Sequence, residues 1–206
     1  SGLQTISMAA QRVIVDGIPA AVAGGVESIS LTQANLNQIH LTEEWLMEHK
    51  PALWMSMIET ADIVAARYGV SRENMDRHGA NSQTRAIAAN EAGRLADEVI
   101  AMTVTKKVMD RETGTVTDAE ITIDRDEGLR PSTYEQVSSL KTVVEGGTIT
   151  AGNASQLSDG AAATVVMERA EAERRGIEPL GFYRGIAVAG CAPDEMGIGP
   201  VFAVPK

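Results

Sequence analysis

Residues 147–167 read GTITAGNASQLSDGAAATVVM, from Gly147 to Met167. Gly147, Gly152 and Gly160 punctuate the stretch, with Asn153, Ser155 and Asp159 between them. Small side chains then lead into Thr164-Val165-Val166-Met167, a β-branched run that predicts a strand filling a core. Two readings are open. The stretch is a tight turn before a core strand, or it is a polar loop whose backbone and short side chains approach a ligand closely, as glycine permits.

Upstream, Arg130 precedes Pro131, so its backbone is extended. Thr133 is placed to cap a helix running from Tyr134 to about Val144. An arginine presented just outside a helix start suits a phosphate or carboxylate; a structural salt bridge is the other reading. Further out, Ile100, Met102 and Val104 alternate, as do Ile121 and Ile123, with Glu112-Thr113-Gly114 between the two runs. That pattern predicts a hairpin. Its mixed charges read as a solvated surface rather than a nucleic-acid patch.

The preceding segments carry helix signals. Leu3, Ile6, Ala10, Val13 and Ile14 share one face of a helix over residues 3–15, ended by Asp16-Gly17. Ala20–Gly24 reads as a buried strand, with Glu27 and Ser28 at its exit. A glutamate there is either catalytic or ties a loop down through backbone hydrogen bonds, and the second is favoured. Leu31–Lys50 reads as a surface excursion in which His40 and His49 are loop histidines without metal-ligand spacing. A helix begins near Met57 and stops at Gly69, with Met57, Ala61, Val64 and Tyr68 on one face; a methionine there is usually core. Ser71 caps the next helix. On it, Met75, Gly79, Ser82, Ala86, Ala89 and Gly93 form a stripe of mostly small residues against which another backbone can pack. Arg72, Asp76, Arg77 and Arg85 are expected to be solvated.

Downstream of Met167, Arg169–Arg175 reads as a charged helix stopped by Gly176, and Ile186–Ala189 as a further core strand. Met196–Pro200 is expected to be a loop; it lacks the spacing of a nucleotide fingerprint. Pro200–Lys206 reads as the opening turn of a helix. Both ends are expected to be truncated, since the chain opens almost inside a helix. Cys191 has no histidine near it in sequence and is not expected to be a nucleophile.

Composition narrows the classes. The 206 residues are 44% hydrophobic, enough to bury a core, and 22% charged, too few for a disordered acidic chain. A net charge of −10 argues against a general nucleic-acid or membrane-surface binder. The apolar runs are too short to span a bilayer, and no secretory signal is read at the start. The lone cysteine fits a reducing compartment, and a cytoplasmic location is expected.

The spelling of four ordered stretches resembles the thiolase family. Thr150-Ala151-Gly152-Asn153-Ala154-Ser155 with Asp159-Gly160-Ala161-Ala162-Ala163 is similar to the segment by which thiolases return from their inserted loop domain to the core. Ser1-Gly2-Leu3-Gln4 resembles the run directly after the nucleophilic cysteine. Ala23-Gly24-Gly25-Val26-Glu27-Ser28 resembles the strand end after the first core helix. Leu129-Arg130-Pro131-Ser132-Thr133 with Leu140-Lys141 resembles the tract before the return. At Met57-Ile58-Glu59-Thr60-Ala61-Asp62 the family reads Met-Gly-x-Thr-Ala-Glu, so Ile58 and Asp62 depart from the pattern, as does Val144 where an aromatic is usual.

The resemblance implies an α/β fold: the layered αβαβα thiolase architecture, partial, with an inserted loop domain. Residues 1–30 would end the N-terminal core half, 31–145 form the loop domain, 146–180 return to the core, and 181–206 begin the C-terminal half. It implies an acyltransferase that forms or cleaves 3-ketoacyl-CoA, with coenzyme A thioesters as substrates and no metal or redox cofactor. It further implies a homodimer or homotetramer. The family's Gly-His-Pro and Cys-x-Gly-Gly motifs do not occur in these residues, so no catalytic residue is assigned. The implied substrate wall is Met57, Arg130 and Ser155, with Gly152 and Asn153 shaping the loop. Ser155 would lie near the pantetheine amides and Arg130 near the nucleotide end. Rival expectations are a non-catalytic thiolase-like protein that binds acyl-CoA or scaffolds a partner, and an interaction module using the Met75–Gly93 stripe.

Overall fold

The computed structural model describes residues 2–206, with Ala34 described by its backbone alone; Ser1 of the opening motif lies outside the described residues. The chain forms two compact units. One runs up to Arg67 and resumes at Leu157–Lys206; the other is Tyr68–Gln156. This division does not match the expected loop-domain span of 31–145 residue for residue.

In the first unit, α1 (Gly2–Asp16) lies against a two-stranded antiparallel sheet of β1 (Ala20–Glu27) and β4 (Gly160–Met167). Gly17, at φ +67°, ends the helix in the left-handed region that glycine enters without penalty. The strands pair from Ala20 with Met167 to Glu27 with Gly160. Their expected burial does not hold: Val22, Val26 and Val165 are 63–80% exposed, and only Ala23 is buried. An apolar run specifies a strand, but burial needs a second layer on each face, and here α1 covers one side through Ser7, Ala9 and Ala10.

The excursion after β1 contains short helices, α2 (Ile29–Thr32) and α3 (Glu44–His49), and is largely exposed. His49 ends α3, stacked on Trp45 with ring centroids 4.3 Å apart, and is not in a loop. α4 (Met57–Tyr68) starts where Ser56 and Glu59 satisfy each other. The Ser56 hydroxyl accepts from the Glu59 N–H, and the Glu59 carboxylate accepts from the Ser56 N–H at 2.8 Å. The guanidinium of Arg67 forks onto Asp194 and Glu195, at 2.6 and 2.8 Å.

In the second unit, α5 (Arg72–Glu91) is the longest helix among the described residues. Ser71 caps it, accepting from the Asn74 N–H. The expected hairpin forms as β2 (Met102–Met109) and β3 (Val116–Ile123), turning at Gly114 with φ +70°. α6 (Tyr134–Ser138) carries a full capping box between Thr133 and Gln136. It is shorter than expected, because residues 142 and 150 then pair as an isolated bridge.

The chain closes within the first unit. α7 (Arg169–Arg175) ends at Gly176 in the left-handed region. Ile186–Ala189 is irregular rather than a strand. Residues 193–198 form a 3-10 turn leading into α8 (Gly199–Ala203), where a loop was expected. Among the described residues, no helix is long and apolar enough to cross a membrane.

Candidate functional site

The turn from Thr148 to Ser155 is built against α5. Thr150 and Asp76 are fully buried. Asn153 makes three hydrogen bonds with its side chain. Its Oδ1 accepts from the Thr150 N–H at 2.8 Å, and its Nδ2 donates to the Thr148 carbonyl at 3.1 Å and to Asp76 Oδ1 at 2.9 Å. The backbone closes the same turn, with the Ala154 N–H donating to the Thr150 carbonyl at 3.0 Å.

Two glycines let the backbones meet. A Cβ at Gly79 would overlap the carbonyl oxygen of Gly152 and lie 3.3 Å from Asn153 Cα. A Cβ at Gly152 would lie 2.8 Å from both Val137 on α6 and Leu140 beyond it. The turn is therefore wedged between two helices with no space for a side chain at either position. Gly79 belongs to the small-residue stripe, and a backbone packs on it as expected.

The expectation that Arg72 and Asp76 are solvated is overturned. Asp76 is 1% exposed. Its Oδ2 accepts from Arg72 Nε at 2.7 Å, and Arg72 Nη2 donates to the carbonyls of Leu140 and Ser138 at 3.0 and 3.4 Å. The carboxylate is buried because it is fully paired, which a solitary charge could not be. The readable signal was the i,i+4 spacing of Arg72 and Asp76, that of a helical ion pair. Their partner Asn153 stands 77 residues from Asp76, which no local pattern signals.

Arg130 is anchored to the same helix. Its backbone N–H donates to Gln83 Oε1 at 2.9 Å. Asp76, Gly79 and Gln83 share one face of α5, and Gln83 lies about 6 Å along the axis from Gly79 at 1.5 Å per residue. The Arg130 side chain is exposed, and among the described residues no carboxylate pairs with its guanidinium. Ser155 is also exposed; its hydroxyl donates to the neighbouring Gln156 carbonyl at 3.3 Å. The structure thus brings Gly152, Asn153 and the backbone of Arg130 onto one helix face. Met57 stands in the first unit, at the start of α4, and is 73% exposed.

The first unit contains a second tie. Asp159, just before β4, accepts from the Ser30 hydroxyl, from the Ser30 N–H at 3.0 Å and from the Ser28 hydroxyl at 3.4 Å. These bonds, the Ser30 hydroxyl first, hold its carboxyl below the usual range. Glu27 accepts from the Ser28 N–H at 3.2 Å, the loop-tying role favoured for it. Cys191 is exposed, with its thiol 3.7 Å from the Glu195 carbonyl. Among the described residues, no group of three or more His, Cys, Asp or Glu is placed to hold a metal ion.

Known proteins match this chain along its whole length. The sequence model described as "Thiolase, N-terminal domain" matches residues 1–170. The chain is 38% identical to the 3-ketoacyl-CoA thiolase of Bacillus subtilis, over all of this chain and 53% of that protein. It is 34% identical to the acetyl-CoA acetyltransferase of Chromobacterium violaceum, over all of this chain and 54% of that one. Among solved structures, the dimeric peroxisomal thiolase of Saccharomyces cerevisiae superposes with a TM-score of 0.83 at 32% identity, covering all of this chain and 51% of the other. The chain spans about half the length of the curated relatives it matches.

Proposed function

The chain belongs to the thiolase family, and on that premise we propose that the whole protein forms or cleaves 3-ketoacyl-CoA by moving an acyl group to or from coenzyme A. Within it, this chain supplies the substrate-binding wall. Arg130 takes the phosphates of the nucleotide end and Ser155 the pantetheine amides, each with the bond its chemistry suits. Gly152 and Asn153 hold the turn, and Met57 contributes from the first unit.

The observation that carries the site is the exposed Arg130 guanidinium. It lacks a carboxylate partner among the described residues, while its backbone is fixed to the helix that also fixes the Ser155 turn. A structural arginine would have its charge paired.

Acyl transfer between thiols is redox-neutral, and the proposal includes no metal or redox cofactor. The proposal extends to the expected organisation: a loop domain over 31–145, a homodimeric or homotetrameric assembly, and a reducing, cytoplasmic location supported by the single cysteine. One relative is named peroxisomal, so fractionation decides the compartment. Thiolysis of acetoacetyl-CoA by the full-length protein tests the activity. Consumption of acetoacetyl-CoA that depends on free coenzyme A is expected. Tight binding of acetyl-CoA without turnover would instead favour the binding-only rival.

A further inference from the structure

We propose that Asp76, which no contact with substrate requires, is a positioning residue that sets coenzyme A affinity by fixing the turn that carries Ser155. The proposal rests on the coenzyme A reading above. Both oxygens of this buried carboxylate are committed, one to Arg72 at 2.7 Å and the other to Asn153 at 2.9 Å. Arg72 uses its other arm on the carbonyls that end α6. Asn153 uses its remaining groups on the backbone of the turn itself. One carboxylate therefore joins α5, the end of α6 and the turn.

A buried ion pair is a poor way to gain stability, because apolar side chains of similar volume serve as well. What a fully satisfied polar network gives is a single geometry. The glycine contacts at Gly79 and Gly152 bring the turn close to α5. They are nondirectional and do not fix its rotation. The Asp76–Asn153 bond does, since Asn153 must present its amide edge to Asp76 while its carbonyl oxygen faces the Thr150 N–H. Ser155 comes two residues later with its side chain exposed, so its hydroxyl takes its place from that rotation. An interaction that places a binding group acts on substrate and transition state alike, and its loss appears in KM rather than kcat.

The test uses the full-length protein as wild type, Asp76→Asn, Asn153→Asp and the reciprocal double variant. Asp76→Asn is nearly isosteric but cannot accept from both Arg72 and Asn153. In the double variant the amide at position 76 accepts from Arg72 and donates to the carboxylate at position 153, which still accepts from the Thr150 N–H. Asp76→Asn is expected to raise KM for acetyl-CoA by about fivefold or more, with kcat within about twofold. It should also speed amide hydrogen exchange across residues 148–155. The double variant should return KM and exchange to within about twofold of wild type, the coupling expected of two groups in one network. A folded Asp76→Asn protein with wild-type KM, a loss shared equally by kcat, or a double variant no better than the worse single variant overturns the proposal. A wild-type protein that neither binds nor turns over coenzyme A thioesters overturns the functional reading instead. If Asp76→Asn does not fold, the double variant decides alone: wild-type KM supports the proposal and a raised KM refutes it.

Discussion

Gly79 and Gly152 touch backbone to backbone: a methyl group on Gly79 would overlap the carbonyl oxygen of Gly152. This contact lets a helix and a binding turn pack without an intervening side chain. Gly79→Ala should therefore destabilise the protein by about 1–3 kcal/mol, the usual cost of overpacking. Intrinsic helix propensity alone would make the same change favourable by up to ~1 kcal/mol. Urea denaturation measures the sign. A midpoint that rises on Gly79→Ala would mean the turn does not sit on α5 as described.

Asp159 gives a pH dependence. Its carboxyl is held below the usual range by bonds from Ser30 and Ser28. A depressed native pKa contributes stability that is present above the unfolded value and is lost as pH falls through the native one. Wild type should therefore be more stable than Asp159→Asn near neutral pH, and the two should converge as pH falls below the ordinary carboxylate range near 3.8. Thermal denaturation monitored from pH 7 to about pH 3 reads this directly. A constant offset between the two proteins across that range would show that the Asp159 charge is not involved.

Ser7 on α1 is fully buried, with its hydroxyl 2.9 Å from the Tyr183 hydroxyl. This bond ties the irregular segment after α7 to the first helix. Tyr183→Phe leaves a buried hydroxyl short of a partner and should cost about 1–3 kcal/mol. Adding Ser7→Ala should recover part of that loss, giving a double-mutant coupling of about 0.5–1.5 kcal/mol. Additive effects of the two changes would remove this bond from the account.

Legibility in the sequence depends on the range of the interaction that decides each feature. Helix ends were legible because a cap is completed within four residues: Ser71 with Asn74, Thr133 with Gln136, and the left-handed glycines Gly17, Gly69 and Gly176. The β2–β3 hairpin was legible from its alternation and its Glu112-Thr113-Gly114 turn. The face of α5 that is buried was only half legible. Gly79 lay in the expected stripe, but Ser82 is exposed while Asp76 and Ala80 are buried. A carboxylate becomes a buried residue only when Arg72 and Asn153 meet it, and the second of these is a tertiary fact. The apolar runs of β1 and β4 were correctly strands and wrongly core, because a run of alanine and valine states extension without stating what covers it. Ile186–Ala189 had the same composition but no pairing strand, and stayed irregular. Of the site residues, Gly152 and Asn153 were placed by the loop's own spelling, whereas Asp76 and Gln83, which fix the turn and Arg130, were not singled out.

The central claim is that Arg130 meets the nucleotide end of coenzyme A and Ser155 its pantetheine arm. The most direct measurement compares KM for acetyl-CoA with KM for acetyl-pantetheine, which lacks the nucleotide, in full-length wild type, Arg130→Ala and Ser155→Ala. Loss of a charge-assisted bond costs about 1.5–3 kcal/mol and loss of a neutral one about 0.5–1.5 kcal/mol. Arg130→Ala should raise KM for acetyl-CoA roughly ten- to 150-fold and leave KM for acetyl-pantetheine near wild type. Ser155→Ala should raise both alike and by less. If Arg130→Ala weakens the full and truncated substrates equally, or lowers only the melting temperature, then Arg130 is a structural residue and the nucleotide site lies elsewhere.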